Sequence, residues 1–201
     1  MYDKLNITEN TLRVLALFTK GFNKSYYIRE IEKLLHISPR TAQLILDDLE
    51  YKNVLESSIR GKIKLFKLKN NFDSRNYLIL TEKYKNMCFY QNNILLKEIL
   101  EKLSYLIKGA GLVFGSYASL TQKKGSDLDI FVIGKYNKKK VENLSKIYAI
   151  DINIKHCSLS IFEKNAFKDP LLVEVLKNHV VFVGAELFIQ SVLKDEKNSL
   201  V

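Results

Sequence analysis

The stretch FGSYASLTQKKGSDLDIFVIG, residues 114–134, places two carboxylates, Asp127 and Asp129, at the head of an otherwise apolar run. Leu128, Ile130, Phe131, Val132 and Ile133 read as a buried strand. Side chains two apart on a strand share a face, so Asp127 and Asp129 point together while Leu128 and Ile130 face the core. Neighbouring carboxylates repel, and burial penalises their charged forms. A bound divalent cation relieves both costs. The spacing Asp-x-Asp on its own is also common in surface turns and solvated strand faces.

The flanks narrow the choice. Upstream, GLVFG is a short apolar strand that ends in Gly115-Ser116. A glycine there lets the backbone approach a phosphate closely, and the Ser116 hydroxyl can donate a hydrogen bond to it. Downstream, AIDINIK (residues 149–155) alternates Ile150, Ile152 and Ile154 with Asp151, Asn153 and Lys155. Asp151 therefore faces away from the apolar layer. If this strand pairs beside LDIFVI, Asp151 joins the other two acids. Three acids on two strands suit Mg²⁺, with as many as two ions, for in-line attack at phosphorus.

Together these residues resemble the nucleotidyltransferase superfamily that includes DNA polymerase beta, and most closely its minimal archaeal and bacterial members. Their pattern is Gly-Ser, ten residues, Asp-x-Asp and a later Asp. Here it is met by Gly115-Ser116, residues 117–126, Asp127-Leu128-Asp129 and Asp151. Ser126 and the apolar run after Asp129 also match, and the likeness spans roughly residues 109–190. It implies an α/β (α+β) fold with a small mixed sheet. It implies catalytic and metal-holding roles for Asp127, Asp129 and Asp151, and nucleotide contacts from Gly115, Ser116 and Ser126. It further implies Mg²⁺, a nucleoside triphosphate donor (ATP is expected), and transfer of a nucleoside monophosphate to a hydroxyl. By the same likeness the acceptor can be a protein side chain, including a partner toxin in a toxin–antitoxin pair. One departure stands out. The family commonly has Ala-Arg-Gly after Gly-Ser-x, and this chain has Ala118-Ser119-Leu120.

Residues 1–72 read as a separate unit. Thr8 opens a helix through LRVLALFTK, YYIREIEKLLHI is a second, and SPRTAQLILDDLEY a third with Ser38 as N-cap and Pro39 in its first turn. VLESSIRGKIKLFKLK then reads as two strands turning at Arg60-Gly61, with alternation placing basic residues on one face. Residues 26–69 resemble winged helix-turn-helix domains in this element order. The resemblance implies that Arg40, Thr41 and Gln43 approach base edges of double-stranded DNA and that Arg60, Lys62 and Lys64 contact phosphates. It also implies a homodimer. Lysines on a solvated edge strand that block aggregation are the alternative reading of the hairpin. Residues 73–108 read as a helical connector broken near Asn92-Asn93, and residues 109–201 as the nucleotidyltransferase domain.

The composition fits this organisation. The chain has 201 residues, 47% hydrophobic and 27% charged, with a net charge of +10. Such an excess of Lys and Arg favours an anionic partner. Cys88 and Cys157 have no zinc or disulfide spacing. No apolar leader or spanning segment is visible, which places the chain in the cytosol with no membrane partner. His36, His156 and His179 read as structural or solvated residues. Two functions follow: a DNA-binding nucleotidyltransferase, or a transcription regulator whose nucleotidyltransferase-like domain only senses nucleotide or is inactive.

Overall fold

A computed structural model describes residues 5–123 and 125–195. The chain divides into two compact units, Met1–Thr81 and Glu82–Val201.

The first unit begins with α1 (Glu9–Thr19), α2 (Ile28–Leu35) and α3 (Pro39–Tyr51). Thr8 caps α1 in a capping box with Thr11, and the Ser38 hydroxyl accepts from the Thr41 amide at the start of α3. The strands β1 (Leu55–Arg60) and β2 (Ile63–Leu68) pair antiparallel around Gly61, whose φ of 61° suits glycine. Val14, Leu15, Phe18, Ile31, Leu46 and Phe66 are fully buried and form the centre of this unit. The helix α4 (Phe72–Asn92) opens here and closes in the second unit.

The second unit continues with α5 (Ile94–Ser104), β3 (Ile107–Val113), the short turn α6 (Gly115–Ala118) and β4 (Leu128–Tyr136). It goes on through α7 (Lys138–Tyr148), β5 (Ile152–Cys157), α8 (Leu159–Asn165), α9 (Pro170–Lys177), β6 (Val180–Val183) and α10 (Ala185–Asp195). The break expected near Asn92-Asn93 falls there, between α4 and α5. The helical reading up to residue 108 is corrected: Ile107 and Lys108 belong to β3. Leu103 and Leu106 prolong a helical spacing in sequence, but Ile107 pairs with Tyr136 across the sheet, and tertiary pairing overrides local periodicity.

The sheet is mixed, in the order β5-β4-β3-β6, with β4 and β5 parallel and the other pairs antiparallel. Its central strand β4 is covered on both faces. Leu128, Ile130 and Val132 pack with Leu96, Leu103, Val141 and Leu144, which belong to α5 and α7. Phe131 faces the other way, where Phe162 of α8 and Phe188 of α10 follow at ring-centroid steps of 6.3 and 6.2 Å. A strand buried on both faces reads as a continuous apolar run, as this one does. Among the described residues no helix is long and apolar enough to cross a membrane.

A buried ionic cluster secures the end of α4 in this unit. Glu82 is fully buried, and its Oε1 lies 2.8 Å from Lys85 Nζ and 3.2 Å from His179 Nε2. His179 Nδ1 lies 3.1 Å from the Leu176 carbonyl, so that nitrogen carries a proton and donates. Burial holds the imidazole below its ordinary pKa, and the Lys85 ammonium 3.2 Å from Nε2 adds to the effect. The neutral ring thus accepts from Lys85, which bridges it to Glu82. Burial alone would raise the Glu82 pKa, but the Lys85 ammonium outweighs it and brings it to about 2. Both groups couple folding to pH. His179 contributes stability above its unfolded value near 6.5, lost as pH falls below it, and Glu82 contributes stability above its unfolded value near 4.5, lost towards about 2. Stability should therefore fall in two stages on acidification, read by far-UV circular dichroism in urea because the chain has no Trp. Glu82→Ala should cost about 1–3 kcal/mol at neutral pH, because it removes the carboxylate that Lys85 meets at 2.8 Å, and should abolish the lower stage.

Candidate active site

The site is built where β3 ends and β4 begins. The ladder between them runs to Val113 opposite Ile130 and is extended by the Phe114 amide, which donates to the Asp129 carbonyl at 3.0 Å. The chain then turns at Gly115 with φ 68°, a left-handed conformation that glycine adopts without strain. A Cβ on Gly115 would lie 2.6 Å from Asp129 Oδ2. The backbone of the Gly-Ser turn is thus packed directly against the second carboxylate of the Asp-x-Asp pair.

On the other side of Asp129 stands β5. Parallel pairing sets Leu128 opposite Ile152 and Asp129 opposite Asn153. The Asn153 amide donates to Asp129 Oδ1 at 3.1 Å. Asp151 precedes β5, and its carbonyl accepts from the Leu128 amide at 2.7 Å. The register therefore brings Asp127, Asp129 and Asp151 to the same end of two adjacent strands. Asp127 and Asp151 are exposed and Asp129 is half-buried. Among the described residues, however, no three His, Cys, Asp or Glu side chains gather closely enough to hold a metal ion. The side chain that reaches Asp129 is Asn153. Sequence alternation put Asn153 on the face of Asp151, but only the strand register reveals that it lies opposite Asp129.

The remaining site residues have local tasks. Ser116 is half-buried in α6, and its carbonyl accepts from the Thr121 amide at 2.9 Å. Ser126 Oγ accepts from the Lys123 amide at 2.8 Å and closes the turn before Asp127. Ser119, which stands where the family pattern has Arg, donates its hydroxyl to the Gly115 carbonyl at 2.6 Å. Leu120, which stands where that pattern has Gly, has φ 56°. A left-handed leucine costs about 1–2 kcal/mol. Two residues on, the buried Gln122 Oε1 has no hydrogen-bond partner. Such local costs cluster at functional sites, where the surrounding fold sustains them. Lys124, which by sequence adds a positive charge to this loop, lies outside the described residues.

In the first unit, Arg40, Arg60 and Lys62 are exposed, and Gln43 is half-buried. The Thr41 hydroxyl lies 2.8 Å from Ser38 Oγ and is engaged in the cap of α3. The expected face of the hairpin is corrected. Lys62 lies in the exposed turn, and Lys64 shares the face of Phe66 and Leu68, which are buried, while Ile63 on the opposite face is 47% exposed. Lys64 lies over the Phe66 ring and forms ion pairs with Glu50 at 2.7 Å and Asp47 at 3.4 Å. Its long stem covers the apolar ring while its ammonium meets acids of α3. A groove of about 650 Å³ between α2, Pro39 and β2 is lined by Arg29, Lys33, Lys62 and Lys64, with no acid.

The Gly115 contact is open to direct test. Gly125, in the same unit, also has a left-handed φ of 85° but nothing within 4 Å of an added Cβ. Gly125→Ala should cost only backbone strain, about 1 kcal/mol. Gly115→Ala adds a collision with the Asp129 carboxylate and should cost at least about 1 kcal/mol more, read as the larger drop in urea midpoint.

With this geometry in place, comparison with known proteins adds one finding. The family model for the nucleotidyltransferase domain matches residues 94–183, from the start of α5 to the end of β6. No curated protein and no solved structure matches the chain. The match supports a nucleotidyltransferase domain over that stretch, and with it a role in nucleotide transfer in the general sense.

Proposed function

We propose that the second unit transfers a nucleoside monophosphate from a nucleoside triphosphate to a hydroxyl acceptor, and that the first unit binds duplex DNA. The observation that carries the first half is the Gly115 turn set against Asp129 with no room for a Cβ, within the stretch that matches the nucleotidyltransferase family model. That turn leaves backbone and the Ser116 hydroxyl free to approach a phosphate. Asp127, Asp129 and Asp151 offer an oxygen-only donor set of the kind that suits Mg²⁺. When bound there, Mg²⁺ would neutralise phosphate charge and lower the pKa of an attacking hydroxyl. Asn153 holds one oxygen of Asp129 and leaves the other towards Gly115. Asp129 is thereby oriented before any ligand arrives.

A specific observation favours a second reading, a nucleotide sensor without turnover. Ser119 brings a hydroxyl bonded to the Gly115 carbonyl where the family pattern supplies a cationic side chain. The loop thus closes on itself rather than presenting a charge to the donor phosphates. The two readings part on transfer, not on binding. The protein should bind Mg-ATP, and labelled [α-³²P]ATP with Mg²⁺ and cell lysate should yield a labelled macromolecule. Asp129→Ala should lower transfer by about 10²-fold or more, the scale of losing a group that orients metal and substrate. Binding without any labelled product would leave the sensor, and absence of both would remove both readings.

For the first unit, the proposal rests on the groove lined by Arg29, Lys33, Lys62 and Lys64, with Arg40, Gln43 and Arg60 beside it in sequence. In this reading Arg40 and Gln43 take base edges, and Lys62 takes phosphate. Lys64 is committed to Glu50 and contributes less than its charge implies. Duplex binding should weaken with salt, and Lys62→Ala should reduce the log–log salt slope by about 1, while Lys64→Ala should change it less. Equal slopes for wild type and Lys62→Ala would count against this face. A homodimer and placement in the cytosol accompany the proposal as parts of the same reading.

A further inference from the structure

The opposite end of the β3–β4 ladder carries a second concentration of charge. Lys108 of β3 pairs directly with Lys135 of β4. Like charges set opposite each other on neighbouring strands destabilise a sheet. The chain then enters α7 through Lys138, Lys139 and Lys140, three cations in the first turn of an 11-residue helix. That end of a helix already bears positive partial charge, so cations there oppose the helix dipole. The Asn137 side chain accepts the Lys140 amide at 3.2 Å and satisfies only part of the turn. All five lysines line one open cavity of about 490 Å³ with no acid in its wall. Among the described residues the one ion pair any of them makes is Lys138 with Glu142, at 4.0 Å between exposed groups. Tyr105, 82% exposed, stands on the same rim.

Two like-charge penalties, on unrelated elements, thus converge on one cavity whose described lining holds no acid. We infer that this cavity binds a single-stranded nucleic acid, with successive phosphates on Lys108, Lys135 and the α7 lysines and a base stacked on Tyr105. Exposed ammonium groups spread around an open groove match a run of phosphates, and an exposed aromatic ring beside them matches an unpaired base. A lone phosphate would use one or two of these cations, and a duplex would offer no base to the ring. Lys108 lies seven residues along the chain from Gly115, and a strand rises about 3.3 Å per residue. The two ends are therefore about 20 Å apart, and this site is separate from the Gly-Ser and Asp-x-Asp site.

The test uses the full chain and a fluorescein-labelled 12-nucleotide oligo-uridylate, followed by anisotropy across a salt series. The triple variant Lys108→Gln, Lys135→Gln and Lys139→Gln should bind at least tenfold more weakly. Its log–log salt slope should fall by about 2, since each single-strand phosphate contributes about 0.7. Tyr105→Ala should weaken binding about fivefold or more, while Lys168→Gln, at an exposed lysine outside this cavity, should change it less than twofold. The triple variant should melt no lower than wild type, because it removes repulsion. The proposal is overturned if the triple variant keeps wild-type affinity and slope. It is equally overturned if free ATP shields the five lysines from acetylation as well as the oligonucleotide does, which would make the cavity a small polyphosphate site. Preference for a duplex of the same length at this cavity would overturn it in favour of a double-stranded partner.

Discussion

The second unit depends on the pairing of β4 with both of its neighbours at the point where its sequence turns from charged to apolar. Leu128 and Ile130 are fully buried, and the half-buried Asp129 sits between them. That carboxylate is tolerable only because each flank is specified. The Asn153 amide meets one oxygen, and the glycine backbone at 115 leaves space for the other. A one-residue slip against β5 would set Ile152 or Ile154 opposite Asp129 in place of Asn153. The apolar layers above and below β4 thus set the register, and the register positions the acids.

Much of this was legible because the local signals agree with one another. Thr8, Ser38 with Pro39, and Gly61 mark element ends by side-chain caps and backbone freedom, and each marks an end in the structure. The apolar run after Asp129 announces a strand covered on both sides. What failed to show was whatever depends on a partner distant in sequence. Ile107 reads as helix until Tyr136 claims it for the sheet. Lys62 and Lys64 read as a basic face, but Lys62 lies in the turn, and the period of two places Lys64 with Phe66 and Leu68, where Glu50 from α3 meets it. Asn153 gave no signal of its own beyond sharing the face of Asp151. Leu120 read only as a departure from a family pattern, whereas the structure shows that it keeps the left-handed turn a glycine would make.

The buried cluster of Glu82, Lys85 and His179 was the least legible feature. Glu82 and Lys85 are three apart on a helix, an ordinary exposed pair in sequence, and His179 lies 97 residues from Glu82. Only the packing of α4 near β6 brings them together, where Asn86 also donates to the Val181 carbonyl at 2.7 Å. Replacing such clusters by apolar groups is often no worse for stability, so what directional bonds of this kind add is specificity of packing. Here that specificity applies to a segment with a weakly amphipathic helix. α4 has few apolar repeats to fix its rotation, and directional bonds from Glu82 and Asn86 supply that orientation instead.

The distribution of charge along the β3–β4 ladder gives the second unit a polarity that net charge conceals. One end gathers Asp127, Asp129 and Asp151, and the other gathers Lys108, Lys135 and the three lysines of α7. Between them the strands are apolar, and the paired glycines Gly109 and Gly134 leave a side-chain-free step beside the lysine pair. At moderate ionic strength the Debye length is about 10 Å, so ends about 20 Å apart act as independent fields. An anionic ligand approaching this unit is therefore drawn to the lysine end and repelled from the acidic end unless a cation accompanies it. The chain's excess of +10 thus coexists with an acidic end, because the two are kept apart by the length of one strand pair.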